Sequence, residues 1–499
     1  MDVIVRKADL ATRPVGLLAV GVAEGGKRLA GAAQRLDRAT HGALAALLAA
    51  GDFAGRAGET ALLYPRGVRA KRVLLVGLGP AAGRDAQRLL LAAAQAARRA
   101  RDLGAGTLAL ALDDGIPPDV ATLRALAEGA LLGHHRFTAY RRESKAPLTR
   151  IEILSPAVLV KGAAAAVGQG AQLGGAVCLA RDLANTPGQD LVPETLASRA
   201  REIAKHVGAT VTVLDEDAME RLGMGCVLGV GRGSAHPPRF IVLEKSPARP
   251  AARGTKTPTV VVIGKGVTFD TGGYSLKPRE GMSRMKYDMS GAAAVLGLFA
   301  SLPAIALDVR LVGLIPSAEN MVGSRALKPG DVLRALDGTT IEVTNTDAEG
   351  RLLLADALGY ARRFQPGTVL DLATLTGAIS VALGRAAAGL FTRDDALAAE
   401  LDAAGGAVGE RLWRMPLWDD YLVEMKAGET ADLVNSSERR EGGACAAAAF
   451  LEHFAKGMRW AHLDIASTAW THEARAESAR GANAFGVRLL VRWLESRGR

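Results

Sequence analysis

The chain has 499 residues, more than the roughly 250 to 300 at which one hydrophobic core stops growing, so two domains are expected. Hydrophobic residues at 49% and charged residues at 23% exclude an intrinsically disordered chain. The net charge of +10 permits anionic partners, but arginines scattered in pairs such as Arg98-Arg99, Arg141-Arg142 and Arg439-Arg440 read as a solvated surface, not as a nucleic-acid footprint.

At the N-terminus, Arg6, Lys7 and Arg13 flank the apolar run 16–23, but Asp2 and Asp9 interrupt the basic region, so the run is expected to be a buried strand and not a signal peptide. Residues 72–76 read as a strand, 85–102 as a helix and 107–112 as a strand, a βαβ unit. Between the first two lies Gly77-Leu78-Gly79-Pro80-Ala81-Ala82-Gly83. This could be a dinucleotide loop or merely a tight turn; its spacing is one residue too long for the usual fingerprint, and Pro80 removes an N–H that could cradle phosphate. Residues 151–160 read as a closing strand and 162–185 as a long Ala-rich helix joining two domains. Its uncharged part, 162–180, is mainly Ala and Gly and too weakly apolar for a bilayer. The domains are therefore drawn as 1–165, a linker helix 166–185, and 186–499. Cys178, Cys226 and Cys445 are far apart and odd in number, which fits a reducing compartment and not a disulfide framework.

Beyond Pro187, apolar strands are expected at 240–244, 259–263, 309–315, 340–344 and 369–373, with helices at 291–302 and 352–363 between them. Strands this apolar predict an α/β catalytic domain whose mostly parallel central sheet is covered by helices, next to a smaller N-terminal α/β domain. Ligands in such sheets bind beyond the carboxyl ends of the strands. Polar clusters at 265–270, 345–351 and 374–377 each follow a predicted strand and should converge there.

In the segment from Asn345 to Arg351, Asp347, Glu349 and Arg351 alternate, which puts them on one face if the backbone is extended. Two carboxylates held together repel unless a cation keeps both ionised, although an exposed strand end can also carry alternating charge. The segment from Gly264 to Lys277, followed by Met285-Lys286-Tyr287-Asp288, adds Asp270 and Asp288 with glycines on either side. Four hard oxygen donors without a nearby His suit Mg²⁺ or Mn²⁺, and also Zn²⁺. The plainer alternative is surface salt bridges from Lys265 and Lys277. Neither Gly-x-Ser-x-Gly nor His-Glu-x-x-His occurs, which removes serine-hydrolase and zincin readings.

Taken together, the two segments resemble the leucine aminopeptidase (cytosol aminopeptidase) family in residue type and in every spacing from Lys265 to Asp288 and from Asn345 to Leu352. The likeness extends through Arg181 to Pro187, Gly229 to Gly231, Pro237 to Arg239, Asp371 to Gly377, Trp413 to Pro416, Ala431 to Leu433 and Trp460 to Ala466. The resemblance implies two divalent ions, Mn²⁺ or Zn²⁺, bridged by Asp270 and Glu349, with Lys265 and Asp288 completing one site and Asp347 the other. It implies Lys277 as the oxyanion donor and Arg351 as the holder of a bicarbonate acting as general base. Thr374, Leu375 and Gly377 match the loop beside the metals, and Met285 and Ala466 the apolar substrate pocket. A cytoplasmic homohexamer that cleaves N-terminal residues, Leu above all, from peptides follows from the same likeness, and some bacterial members add DNA binding. Gln189, Ser290 and Asn483-Ala484 depart from the family pattern; relatives commonly carry Asn, Gly and Thr-Gly at those positions.

Overall fold

The computed structural model describes residues 1–25, 28–82, 85–113, 118–142, 145–155, 160–247, 257–437, 439 and 441–497. The chain folds into two compact units, Met1–Cys178 with Thr471–Arg480, and Leu179–Trp470 with Gly481–Arg499.

In the first unit, β1 (Asp2–Lys7), β2 (Leu17–Val22), β3 (Thr60–Leu63), β4 (Val73–Gly77), β5 (Thr107–Ala111) and β6 (Arg150–Ser155) form a sheet in the order β1-β6-β5-β2-β4-β3. Only β3 runs antiparallel to its neighbour. Strand pleating sends Leu17, Ala19, Leu74, Val76, Leu108 and Leu110 into one core and Leu18, Val20, Val73, Leu75, Ala109 and Ala111 into another, so both faces are covered. The apolar run 16–23 is the fully buried β2, as expected of a strand. The glycine-rich turn is structural: the N–H groups of Gly77, Leu78 and Gly79 donate to Glu59 O, Val22 O and Gly55 O, leaving none of the three for phosphate. Gly83, the last residue of that run, lies outside the described residues, as do 156–159 of the expected strand 151–160 and Arg440 of the Arg439-Arg440 pair. The long helix spans Ala163–Asn185. A Cβ on its Gly170 would stand 2.1 Å from Arg124 O, so glycine lets it press onto the helix Val120–His134.

The second unit holds β7 (Thr210–Leu214), β8 (Arg239–Lys245), β9 (Thr259–Gly264), β10 (Gly266–Asp270), β11 (Arg310–Asn320), β12 (Val332–Arg334), β13 (Thr340–Glu342), β14 (Thr368–Ala373), β15 (Ala388–Phe391), β16 (Leu412–Arg414), β17 (Leu433–Val434) and β18 (Trp460–Asp464). The main sheet runs β16-β15-β18-β14-β9-β11-β8-β7, and β10 pairs with β11. Its centre, β18, β14, β9, β11 and β10, is parallel, and β15, β8 and β7 join antiparallel. β9 and β14 are buried along their whole length, and the apolar helix Ser290–Ser301 beneath them is buried on every side. The strand expected at 340–344 is shorter and lies elsewhere: β13 pairs with β12 and β17 in a separate three-stranded sheet. Its end is set by Val343 N donating to Asp331 O and by Asn435, which takes the next amides.

Because the central strands are parallel, Lys265 after β9, Asp270 closing β10, Asn320 closing β11, Thr374 after β14 and Asp464 closing β18 come out on one edge.

Candidate metal centre

Four carboxylates and two ammonium groups meet at that edge. Lys265 Nζ lies 2.8 Å from Asp288 Oδ2 and 2.8 Å from Glu349 Oε1, and donates to Thr374 O at 3.0 Å. Lys277 Nζ lies 2.7 Å from Asp270 Oδ2 and 2.5 Å from Asp347 Oδ1. Oxygens of Asp270, Asp347 and Glu349 all fall within 4.8 Å of one another. Lys265, Asp270, Asp288, Glu349 and Arg351 are buried, whereas Asp347 and Lys277 are partly open.

Each ligand candidate is held by its own element. Asp270 Oδ1 accepts from Gly272 N and from Asn320 Nδ2, both at 2.8 Å, which leaves Oδ2 turned to Lys277. Gly272 takes φ of +85°, open to glycine at little cost, and a Cβ there would stand 2.9 Å from Asp347 Oδ1. Asp288 follows the single 3-10 turn Met285–Tyr287, and Thr374 Oγ1 donates to its carboxylate at 2.8 Å. Glu349 precedes the helix Gly350–Ala361. The segment carrying Asp347 is stapled from two sides: Thr346 exchanges hydrogen bonds with Ser275, and its Oγ1 donates to Gly272 O. Asn435 takes Thr344 N and Asn345 N on Oδ1 and donates Nδ2 to Asn345 O and Ala348 O.

Burial and the neighbouring Asp270 charge push the Glu349 carboxyl up to about 7 and that of Asp347 up to about 6. Asp288 is raised by burial as well, against the pull of Lys265. Burial works to lower both lysines, but the carboxylates around them, Asp288 first for Lys265 and Asp270 first for Lys277, outweigh it and raise them. Burial lowers Arg351 to about 10; its Nη1 donates to Asn435 O at 2.7 Å and its Nε has no partner. Among the six acids and lysines, four carboxylates outnumber two ammonium groups, and the raised carboxyls of Asp288, Asp347 and Glu349 reflect that excess. Glu349 Oε2, buried and accepting no hydrogen bond, is part of that excess. Such a cluster calls for added positive charge.

The residues expected for the substrate pocket lie around this cluster to different degrees. Thr374 touches both Lys265 and Asp288. Leu375 N and Ala466 N converge on Asp464 Oδ1, each at 3.2 Å, and Gly377 opens the exposed helix start just beyond. Met285 is partly buried one turn ahead of Asp288. Sequence reasoning did not single out Asn320, Thr346, Asn435 or Asp464. Asn320 and Asp464 close strands and Asn435 directly follows one, and that position was the available signal; Thr346 lies four residues beyond β13 and had none.

The family model described as "Cytosol aminopeptidase family, catalytic domain" matches residues 178–491, and that of the family's N-terminal domain matches 19–144. A probable cytosol aminopeptidase of Roseiflexus castenholzii is 47% identical over 90% of this chain and 92% of its own. One of Geobacter sulfurreducens is 42% identical over 99% of both chains. Among solved structures, a tomato leucine aminopeptidase mutant superposes with a TM-score of 0.88 at 33% identity, covering 99% of this chain and 96% of that one. The bottromycin maturation enzyme BotP in complex with Mn gives 0.84 at 39% identity, covering 97% of this chain and 100% of that one. With both family domains matched in order and the acid-lysine cluster inside the catalytic match, this chain belongs to the cytosol aminopeptidase family.

Proposed function

We propose that this chain is a two-metal aminopeptidase that removes N-terminal residues, leucine and other apolar ones best, from peptides with a free α-amine. The observation that carries the reading is the meeting of Asp270, Asp347 and Glu349 oxygens within 4.8 Å at the carboxyl edge of a parallel sheet. The donor set fits divalent cations: two ammonium groups stand between carboxylate pairs as cations would, negative charge is in excess, and Glu349 Oε2 is buried without a partner. Asp270 and Glu349 would bridge the ions, Lys265 and Asp288 would complete one site, and Asp347 the other. The oxygen-rich set favours Mn²⁺, the ion named with BotP, and admits Zn²⁺.

When bound, the ions supply Lewis acidity toward the scissile carbonyl and lower the pKa of the attacking water. Lys277, less buried than Lys265, is assigned to charge developing on the carbonyl oxygen. Arg351, with Nε free of partners, is assigned to hold a bicarbonate for general-base duty. Thr374, Leu375 and Gly377 form the loop along the substrate, and Met285 and Ala466 take its apolar side chain.

Catalysis is assigned to residues 186–499, with 166–185 as connector and 1–165 as a separate domain. A cytoplasmic homohexamer is proposed on family likeness, and a monomeric mass by light scattering would exclude the hexamer. Against the expectation that it is too weakly apolar, the helix Ala163–Asn185 is by length and composition apolar enough to cross a membrane, but half of its most apolar stretch is buried, as in a core helix, so no membrane partner is proposed. DNA binding has only the net charge behind it and is left out. Elemental analysis with a panel of aminoacyl substrates tests the whole reading: two Mn or Zn per chain and fastest release of leucine are expected, and metal-free activity would refute it.

A further inference from the structure

A row of buried polar side chains lies in the apolar core beside the reaction centre. Trp460, His462 and Asp464 alternate along β18 and so share one face, and Asp371 on β14 stands in register with His462. Trp460 Nε1 donates to Asp371 Oδ2 at 2.6 Å, and Asp371 Oδ1 lies 2.5 Å from His462 Nδ1. Asp371 and Asp464 are 0% exposed and His462 1%, with Phe391 against the imidazole. Ionisable groups are costly to bury in such a core, and His462 Nε2 has no hydrogen-bond partner there, so the row needs a reason beyond packing.

Asp464, two residues beyond His462 on β18, makes its own set of bonds. Its Oδ1 accepts from Leu375 N and Ala466 N at 3.2 Å and from Thr376 N at 3.5 Å, and its Oδ2 accepts from Thr376 Oγ1 at 2.6 Å. Thr376 Oγ1 in turn accepts from Ile379 N and so caps the helix Gly377–Leu383. At its other end the same loop is tied by Thr374 to Lys265 and Asp288.

We infer that Asp464 is a positioning residue that fixes the 374–377 loop and the 465–466 segment against each other, and so sets the width and register of the substrate site. The inference rests on the aminopeptidase reading of that loop. His462, held by Asp371, lies behind it; burial raises the Asp464 carboxyl, and His462 opposes that rise.

The test uses Asp464→Ala, Asp464→Asn and Thr376→Val in the full chain. Asn keeps an oxygen for the three N–H groups, whereas Ala leaves them and the Thr376 hydroxyl unpaired. A loop shift of about 1 Å should cost Asp464→Ala about 100-fold in kcat/KM, mainly through KM, with reduced selectivity for Leu over Ala substrates and unchanged metal content. Asp464→Asn should retain most of the activity, and Thr376→Val should fall between them. Wild-type KM and selectivity in all three, or loss of metal in step with loss of activity, would overturn the assignment. If Asp464→Ala does not fold, Thr376→Val and Asp464→Asn decide by the same readout. If the wild type with metal bound cleaves no aminoacyl substrate, the aminopeptidase reading fails. Positioning is then judged by amide exchange at Leu375 and Ala466: about tenfold faster in Thr376→Val supports it, and no change overturns it.

Discussion

Lys265 Nζ and Glu349 Oε1 stand 2.8 Å apart with their side chains only 3% and 2% exposed, and the residue that makes room for the contact is Gly350. A Cβ at 350 would come within 2.8 Å of Nζ and 2.9 Å of both Cδ and Cε of Lys265. A lysine tip can normally swing aside, but this one is fixed by Asp288, Glu349 and Thr374 O. Gly350→Ala is therefore expected to spare the fold and displace the lysine, weakening metal binding about 10- to 100-fold. Metal titration beside a thermal melt checks this; wild-type affinity would mean that Lys265 is no ligand.

Glu349→Ala and Lys277→Ala should separate binding from chemistry. Removing Glu349 takes away a bridging oxygen, so metal content and activity should both collapse. Lys277→Ala should keep both ions and slow turnover about 100- to 1,000-fold, the range for losing one oxyanion donor. Elemental analysis with kcat measurement decides, and an equal fall in metal for the two variants would contradict the role given to Lys277.

Asn435 is fully buried; its side-chain amide makes four bonds to the backbone at 344, 345 and 348, and its main-chain carbonyl accepts from Arg351. Asn435→Ala leaves the four backbone groups at 344, 345 and 348 unpaired at about 1 to 3 kcal/mol each before relaxation and keeps the main-chain bond to Arg351, so a clear drop in stability is expected. The segment it staples carries Asp347, and metal affinity should fall too. A denaturant midpoint and a metal titration both at wild-type values would contradict that account.

Much of this centre was legible because its residues follow apolar strands, and strand runs such as 259–263 and 369–373 announce themselves by composition. The supports were not. Asn320, Asn435 and Asp464 act mainly through partners 26 to 91 residues away in the chain, which no local pattern encodes. The strand at 340–344 joins a separate sheet, against expectation, because length and apolarity do not say which neighbour a strand will find. One departure from the family pattern has a visible cost: Ala484 takes φ of +61° where relatives often carry glycine, the residue that tolerates that conformation. The departure at Ser290 is harmless, since its hydroxyl donates to Tyr287 O. Nothing in the structure explains Gln189.

His134 offers a pH test in the first unit. Burial, then the charge of Arg101, lowers it to about 4, and its Nδ1 is buried without a partner. A His depressed below its unfolded value of about 6.5 favours the fold while neutral, so that contribution is complete above pH 6.5 and is lost as pH falls toward 4. Stability of Met1–Cys178 should decline over that window, and His134→Leu should flatten the decline. An identical slope in the variant would remove His134 from the explanation.

The central claim is that the metal centre grips a free α-amine. A neutral amine can donate its lone pair to a cation near Asp347, fixing the register of the scissile bond, whereas an acetylated nitrogen cannot and brings added bulk. Losing that positioning should cost several kcal/mol of barrier, hence orders of magnitude in rate. The direct measurement compares Leu-p-nitroanilide with its N-acetyl form in Mn²⁺. Rapid hydrolysis of the first and almost none of the second is predicted; similar rates for both would contradict the account.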